Sequence, residues 1–179
     1  MNTELLLSTE ERARILSHVI YMEREFGVNE IARALGLSKG LVSKYLDALV
    51  KETLLKRSKK KFLLNENHLL RGIRIMFNLQ RIGPKIFRKY RFVKASGLYG
   101  SCAKGTNTQS SDVDVWIRVE KTGDENIAEL TSELRKSIAN IKILILDDKK
   151  LELLKKKDPL FYYALHFGSI ILQGEENGI

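Results

Sequence analysis

Residues 112–119 read Asp-Val-Asp-Val-Trp-Ile-Arg-Val, a strict alternation that constrains the fold more than any other stretch of the chain. Side chains of an extended strand point to opposite faces in turn. Val113, Val115, Ile117 and Val119 therefore share one face, and Asp112, Asp114, Trp116 and Arg118 share the other. A chain with this segment has to build a sheet around it and seal one side in a core. A second apolar run, Phe92 to Tyr99, lies upstream and leads straight into Gly100-Ser101-Cys102-Ala103-Lys104-Gly105. A polar loop, Thr106 to Ser111, separates the two strands.

The chemistry follows from what sits at the strand ends. Two carboxylates two residues apart point the same way and can share a hard divalent cation, Mg2+ or Mn2+. That makes Asp112 and Asp114 the candidate metal and catalytic pair. The Gly-Ser turn falls at a predicted helix start, where free backbone N–H groups and the Ser101 hydroxyl can hold a phosphate and Gly100 allows close approach. Gly100, Ser101 and Lys104 are the candidate nucleotide-binding residues. A phosphate cradle beside a carboxylate pair is the equipment of nucleotidyl transfer, with a nucleoside triphosphate as substrate.

The following segments continue the same domain. Glu125 to Ala139 is predicted as a helix with Ile127, Leu130, Leu134 and Ile138 inward. Ile141 to Leu146 is a predicted strand and Lys149 to Lys156 a short helix. Asp158-Pro159 starts another helix, with Asp as cap and Pro in the first turn. Gly168 to Leu172 closes as a short strand, and its Gly-Ser reads as structural because no carboxylate pair follows it. Trp116 shares a face with the two aspartates and either lines the nucleotide site or packs at the sheet's far end. Tyr162 and Tyr163 are alternatives for stacking a base or for packing.

The charge of the chain is divided. Residues 1–94 carry 20 Lys and Arg against 9 Asp and Glu, a net of +11, whereas residues 95–179 carry 11 against 13, a net of −2. The first half is therefore expected to bind an anionic partner. Ser8 with Glu11 predicts a helix start, and the following apolar face runs from Ala13 to Met22. Asn29 is expected to cap a short helix through Ile31, Ala34 and Leu35, stopped by Gly36. A third helix buries Leu41, Val42, Tyr45, Leu46, Leu49 and Val50. Its opposite side presents Ser38, Lys39, Ser43 and Lys44. Two helices across a Gly-containing turn form a helix-turn-helix, whose second helix meets base edges at its start. A hairpin from Leu54 to Leu64 then places Arg57, Lys59, Lys60 and Lys61 near its tip, where such cations contact phosphates.

Val28 to Leu46, within about residues 8–65, resembles the winged helix-turn-helix family of prokaryotic regulators, which implies duplex DNA as a partner. Leu98-Tyr99-Gly100-Ser101, then Ala103-Lys104-Gly105-Thr106, then Ser111-Asp112-Val113-Asp114-Val115 resembles the nucleotidyltransferase domain of the DNA polymerase beta superfamily, and its minimal prokaryotic members in particular. That resemblance covers about residues 85–175. It implies a mixed sheet flanked by helices, a nucleotide partner, and a toxin-antitoxin setting in which a toxin-like protein receives the nucleotidyl group. It also implies a third carboxylate in the strand after the long helix. The matching position in this chain is Lys142, within Lys142-Ile143-Leu144-Ile145-Leu146-Asp147-Asp148. Lys142 is expected to pair with the aspartates and weaken divalent binding. Asp147 and Asp148 are expected to cap the next helix.

The expected fold class is α+β in two domains: a winged helix over 1–66, a connecting helix and linker over 67–90, and a nucleotidyltransferase-like domain over 91–179. The helix from about His68 to Ile82 is expected to pack between the halves or against a second copy of the chain, so a homodimer stays open. Gly83-Pro84 is its predicted end. No apolar run reaches the roughly twenty residues of a membrane span, and Met1 to Glu4 lack a signal-peptide pattern. One cysteine, Cys102, excludes an internal disulfide and favours a cytoplasmic setting. Three scattered histidines and one cysteine argue against a structural zinc site. Two functions stay open: an enzyme transferring a nucleotidyl group to a protein or nucleic-acid hydroxyl, or a transcriptional regulator using the transferase fold as a sensor or dimer platform.

Overall fold

The computed structural model describes residues 6–83 and 85–174. The chain divides into two compact units, Met1–Arg74 and Ile75–Ile179. Among the described residues no helix is long and apolar enough to cross a membrane.

The first unit begins with α1 (Glu10–Val19), α2 (Val28–Leu35) and α3 (Lys39–Lys51), followed by a hairpin of β1 (Leu55–Ser58) and β2 (Lys61–Leu64). Two helix starts differ from expectation by a residue or two. Thr9, not Ser8, caps α1 by accepting from the Arg12 N–H at 3.3 Å, while the Ser8 hydroxyl accepts from the Arg12 guanidinium instead. Gly27, not Asn29, precedes α2, which places Asn29 inside its first turn and Ala34 on the exposed side. Gly36 ends α2 at φ 67, a left-handed conformation that costs glycine little. Ser38 caps α3 by accepting from the Leu41 N–H. Val42, Tyr45, Leu46 and Leu49 are buried along α3, each such apolar side chain contributing about 1.5–3 kcal/mol. The expected inward positions Leu41 and Val50 are only half-buried.

Antiparallel register pairs Leu55 with Leu64 and Ser58 with Lys61, leaving Lys59 and Lys60 as the turn. Phe26, between α1 and α2, adds an isolated bridge to Phe62 through reciprocal N–H···O=C bonds of 3.0 and 2.8 Å. A helix α4 (His68–Ile82) follows, and the division between units falls within it. Gly83 follows its last residue at φ 51. The expected role of Pro84 lies outside the described residues, as do Met1 to Glu4 and residues 175–179. Where a linker was expected over 83–90, a short helix α5 (Lys85–Arg88) forms.

The second unit is a mixed sheet. Its elements are β3 (Val93–Tyr99), α6 (Gly100–Lys104), β4 (Val113–Val119), α7 (Asp124–Ser137), β5 (Ile141–Leu146), α8 (Asp148–Lys157), α9 (Pro159–Gly168) and β6 (Ile170–Gln173). The strand order is β5-β4-β3-β6, with β4–β5 parallel and the other pairs antiparallel. One face carries Val113, Val115, Ile117 and Val119, packed with Leu130 and Leu134 of α7 and with Ile82 and Phe87. The other carries Trp116, packed with Ala95, Leu146, Leu151 and Leu165 under α8 and α9. Both faces are covered because β4 alternates aliphatic residues with residues that find specific partners. Trp116 is fully buried and its indole N–H donates to the Ser169 hydroxyl at 2.9 Å. Of the two roles open to Trp116, the structure gives packing, and it gives Gly168-Ser169 a structural role. The indole has room because residue 97 is glycine: a Cβ there would overlap the indole at Cε2, Cζ2 and Nε1.

Candidate active site

The end of β3 makes the site. Tyr99 is still extended when Gly100 turns the chain into α6 at φ 70, and Gly105 stops α6 at φ 65. Antiparallel register sets Tyr99 opposite Asp114 on β4, and parallel register sets Asp114 opposite Lys142 on β5. Asp112 lies just before β4. Gly100, Asp114 and Lys142 therefore meet at one end of the sheet, on the face that β4 shares with Trp116.

The contacts are close. A Cβ at Gly100 would lie 2.5 Å from Asp114 Oδ2, so a larger residue here would push that carboxylate aside as well as strain a left-handed backbone. The Lys142 ammonium donates to Asp112 Oδ2 at 2.5 Å, as the departure at position 142 predicted. Both partners are partly in solvent, with 65% and 43% of their side chains exposed, so water screens much of their attraction. Burial pushes the Asp114 carboxyl above its ordinary value. The Lys142 charge opposes this shift and the Asp112 charge adds to it. The hydrogen bond to Asp112 raises the Lys142 ammonium. Burial first, and then the Asp114 charge, raises the Tyr99 phenol.

A divalent cation suits this donor set in type: two carboxylates two residues apart at the start of β4 are hard oxygen ligands, and magnesium is commonly held by one or two of them together with substrate phosphates. The set is short in number. Among the described residues no group of three or more His, Cys, Asp and Glu side chains gathers as a metal site. Asp147 and Asp148 are engaged elsewhere. Asp147 caps α8 by accepting from the Lys150 N–H at 2.7 Å, and Asp148 accepts from the Arg118 guanidinium at 3.1 Å.

The turn is pinned from behind by a pair that sequence reasoning missed. Asn78 and Asn107 are both buried. Asn78 Nδ2 donates to the Cys102 carbonyl and to Asn107 Oδ1, both at 2.9 Å, and Asn107 Nδ2 donates back to Asn78 Oδ1 at 3.2 Å. One amide thus holds both α6 and the loop that follows it. The signal in the sequence was an asparagine in the middle of an apolar helix, where a partner is obligatory once buried. Cys102 is buried, its thiol raised by burial and donating to the Asp112 carbonyl at 3.4 Å, which makes it a packing residue. Lys104 is exposed on α6 and Ser101 is half-buried.

In the first unit, Ser38, Lys39 and Lys44 are exposed and Ser43 is half-buried near the start of α3. Lys59, Lys60 and Lys61 are exposed at the hairpin turn. Arg57 is exposed beside them, its Nε donating to the Lys59 carbonyl at 3.4 Å, and it has further partners of its own. Its guanidinium donates to Asp47 of α3 at 2.7 Å and lies over the Phe62 ring. Lys59 holds φ 54, a left-handed conformation in a residue with a full side chain.

A protein-family model described as Polymerase beta, Nucleotidyltransferase matches residues 84–175. No curated protein matches the chain. Similar solved structures include a toxin-antitoxin with AMP-PNP, at 17% identity over 51% of this chain and 70% of the other, TM-score 0.39. Another is a tri-AMPylated Shewanella oneidensis HEPN toxin in complex with MNT antitoxin, at 14% identity over 57% and 74%, TM-score 0.37. A third is a candidate nucleotidyltransferase from Sulfolobus solfataricus, at 15% identity over 62% and 90%, TM-score 0.38.

Proposed function

The chain belongs to the polymerase beta nucleotidyltransferase family, and from that membership we propose that its second unit transfers a nucleotidyl group to a hydroxyl. The donor is a nucleoside triphosphate, the acceptor a hydroxyl of a protein or nucleic acid, and the leaving group pyrophosphate. The observation that carries this reading is the approach of Gly100 to Asp114 at the end of β3, where a side chain on the glycine would displace the carboxylate. Gly100 and Ser101 would receive the phosphates, with the exposed Lys104 ammonium beside them. Asp112 and Asp114 would hold Mg2+ or Mn2+, which when bound neutralises charge on the phosphate oxygens and aligns the attack. The acceptor hydroxyl would lose its proton to solvent water as its oxygen bonds the α-phosphorus and pyrophosphate leaves. A toxin-like protein is the acceptor that the family resemblance brings forward.

The first unit is proposed as a winged helix-turn-helix domain over 1–66 that binds duplex DNA, joined through 67–90 to a transferase domain over 91–179. Support comes from the α2–turn–α3 arrangement, the following hairpin, and the lysines at its turn. Lys59 stays a lysine at a φ where glycine would cost about 1 kcal/mol less, which fits a cation retained for phosphate contact. Ser38, Lys39, Ser43 and Lys44 would face the groove, and Lys59, Lys60 and Lys61 the backbone, with Arg57 held nearer Asp47. The setting is cytoplasmic.

Incubation with labelled nucleoside triphosphate, Mg2+ and cell extract tests the enzyme reading. Label should reach an acceptor, and Asp112→Ala and Asp114→Asn should abolish transfer. A second reading is favoured by the Lys142–Asp112 ion pair: a transcriptional regulator using the transferase fold as a ligand sensor or dimer platform. It predicts no label transfer with any nucleotide, together with salt-sensitive, sequence-selective DNA binding.

A further inference from the structure

We propose that Lys142 is the resident counter-cation of the carboxylate pair, excluding free divalent ions from Asp112 and leaving it when a nucleotide polyphosphate arrives. This rests on the nucleotidyl-transfer reading and deepens it, since it says which form of the substrate the site admits.

The position of Lys142 is fixed by the sheet. Parallel pairing sets Val113 opposite Ile141 and Asp114 opposite Lys142, so position 142 must emerge on the carboxylate face. A one-residue slip would send Lys142 into the face packed by Leu130 and Leu134, where an ammonium has no place. From there its chain reaches past Asp114 to Asp112. The pair carries two negative charges and the ammonium cancels one of them before any ion enters. A hydrated divalent ion has to replace the Lys142 bond as well as shed its own water, which magnesium does reluctantly.

The same ammonium can leave. Its side chain is 65% exposed and sits on a four-carbon stem with three rotatable donors. Polyphosphate held near Gly100 and Ser101 offers it more negative charge than one half-exposed carboxylate does. Moving from Asp112 to a phosphate oxygen would free Asp112 at the moment a nucleotide-bound cation arrives. The site therefore selects the metal–nucleotide complex over the free ion.

Manganese binding measured by calorimetry and by electron spin resonance on the full chain tests this, with circular dichroism confirming that each variant folds. Wild type, Lys142→Met and the double variant Lys142→Met/Asp112→Asn are compared, with and without a non-hydrolysable ATP analogue. Without nucleotide, Lys142→Met should bind Mn2+ about tenfold more tightly than wild type. With nucleotide, wild type and Lys142→Met should converge to about threefold or less. Equal affinities of wild type and Lys142→Met for free Mn2+ would overturn the inference and leave the transfer reading intact. A tenfold gap that nucleotide does not narrow would overturn the release of Lys142. If the double variant binds as tightly as Lys142→Met, Asp112 holds no metal, and the transfer reading falls together with the inference.

Discussion

Gly100, where β3 gives way to α6, lies so close to Asp114 of β4 that a Cβ on it would sit 2.5 Å from the carboxylate oxygen. The glycine meets two demands at once, a left-handed φ of 70 and an approach without a side chain. Partial burial raises the Asp114 carboxyl above its ordinary value.

Gly100→Ala should therefore lose nucleotide binding and cost about 1–2 kcal/mol in urea unfolding from φ alone. Gly72→Ala is the matched control. It lies inside α4 with nothing within 4 Å of the added Cβ, and should stabilise by about 0.5–1 kcal/mol. Equal unfolding midpoints for the two variants would contradict the strain at Gly100.

Asn78→Ala removes the amide that holds both α6 and the following loop, leaving buried polar groups on Asn107 and Cys102 without that partner. The expected loss is about 1–3 kcal/mol in denaturant unfolding. Nucleotide affinity should fall more in this variant than in a surface variant such as Lys121→Ala, because the turn it supports is part of the site.

Tyr90 and Glu133 provide a signature in pH. The Tyr90 hydroxyl donates to Glu133 Oε2 at 2.5 Å, and burial with this bond pushes the phenol up to about 12. In the unfolded chain a tyrosine ionises near ~10. The stability from the neutral phenol is thus complete below about pH 10 and is lost as pH rises towards 12. Glu133 is held below its ordinary value by Lys89 first and Tyr90 second, so its contribution is present above the ordinary carboxylate range and lost as pH falls. Tyr90→Phe should flatten the alkaline limb of the melting profile and delete one late-titrating phenolate in an absorbance titration. An unchanged alkaline limb would sink this account.

Lys59→Gly relieves the left-handed φ at the hairpin turn and should stabilise by roughly 0.5–1 kcal/mol. If Lys59 contacts phosphate, the same change should weaken binding to all duplex sequences about equally and reduce the salt slope by about one. Stabilisation with no loss of DNA binding would remove Lys59 from the interface.

Much of this was written in the sequence, because alternation and glycine punctuation act locally. Asp112 to Val119 announced a strand with its aliphatic face in a core, and Gly100 its exit into a helix, whereas the cover over the Trp116 face came from the structure. The position of Lys142 was legible only through the family resemblance, yet the register bears it out. Helix starts at Thr9 and Gly27 shifted because several capping residues compete within one turn, and their energies differ by a few tenths of a kcal/mol. The Asn78–Asn107 pair and the depth of Trp116 were not legible. Each depends on residues far along the chain, Cys102 and Asn107 for one, Gly97 and Ser169 for the other.

The strand order also has a consequence in time. β3 pairs on one side with β4, its near neighbour in sequence, and on the other with β6, where Leu98 meets Ile170. Closing that long loop is the costlier step, so the β3–β4 hairpin with Gly100 and Asp114 can assemble while the second edge of β3 is still bare. During that interval the bare edge is a template for any passing strand. Substitutions that loosen β6 are accordingly expected to appear first as aggregation during refolding, before the carboxylate end of the sheet is disturbed.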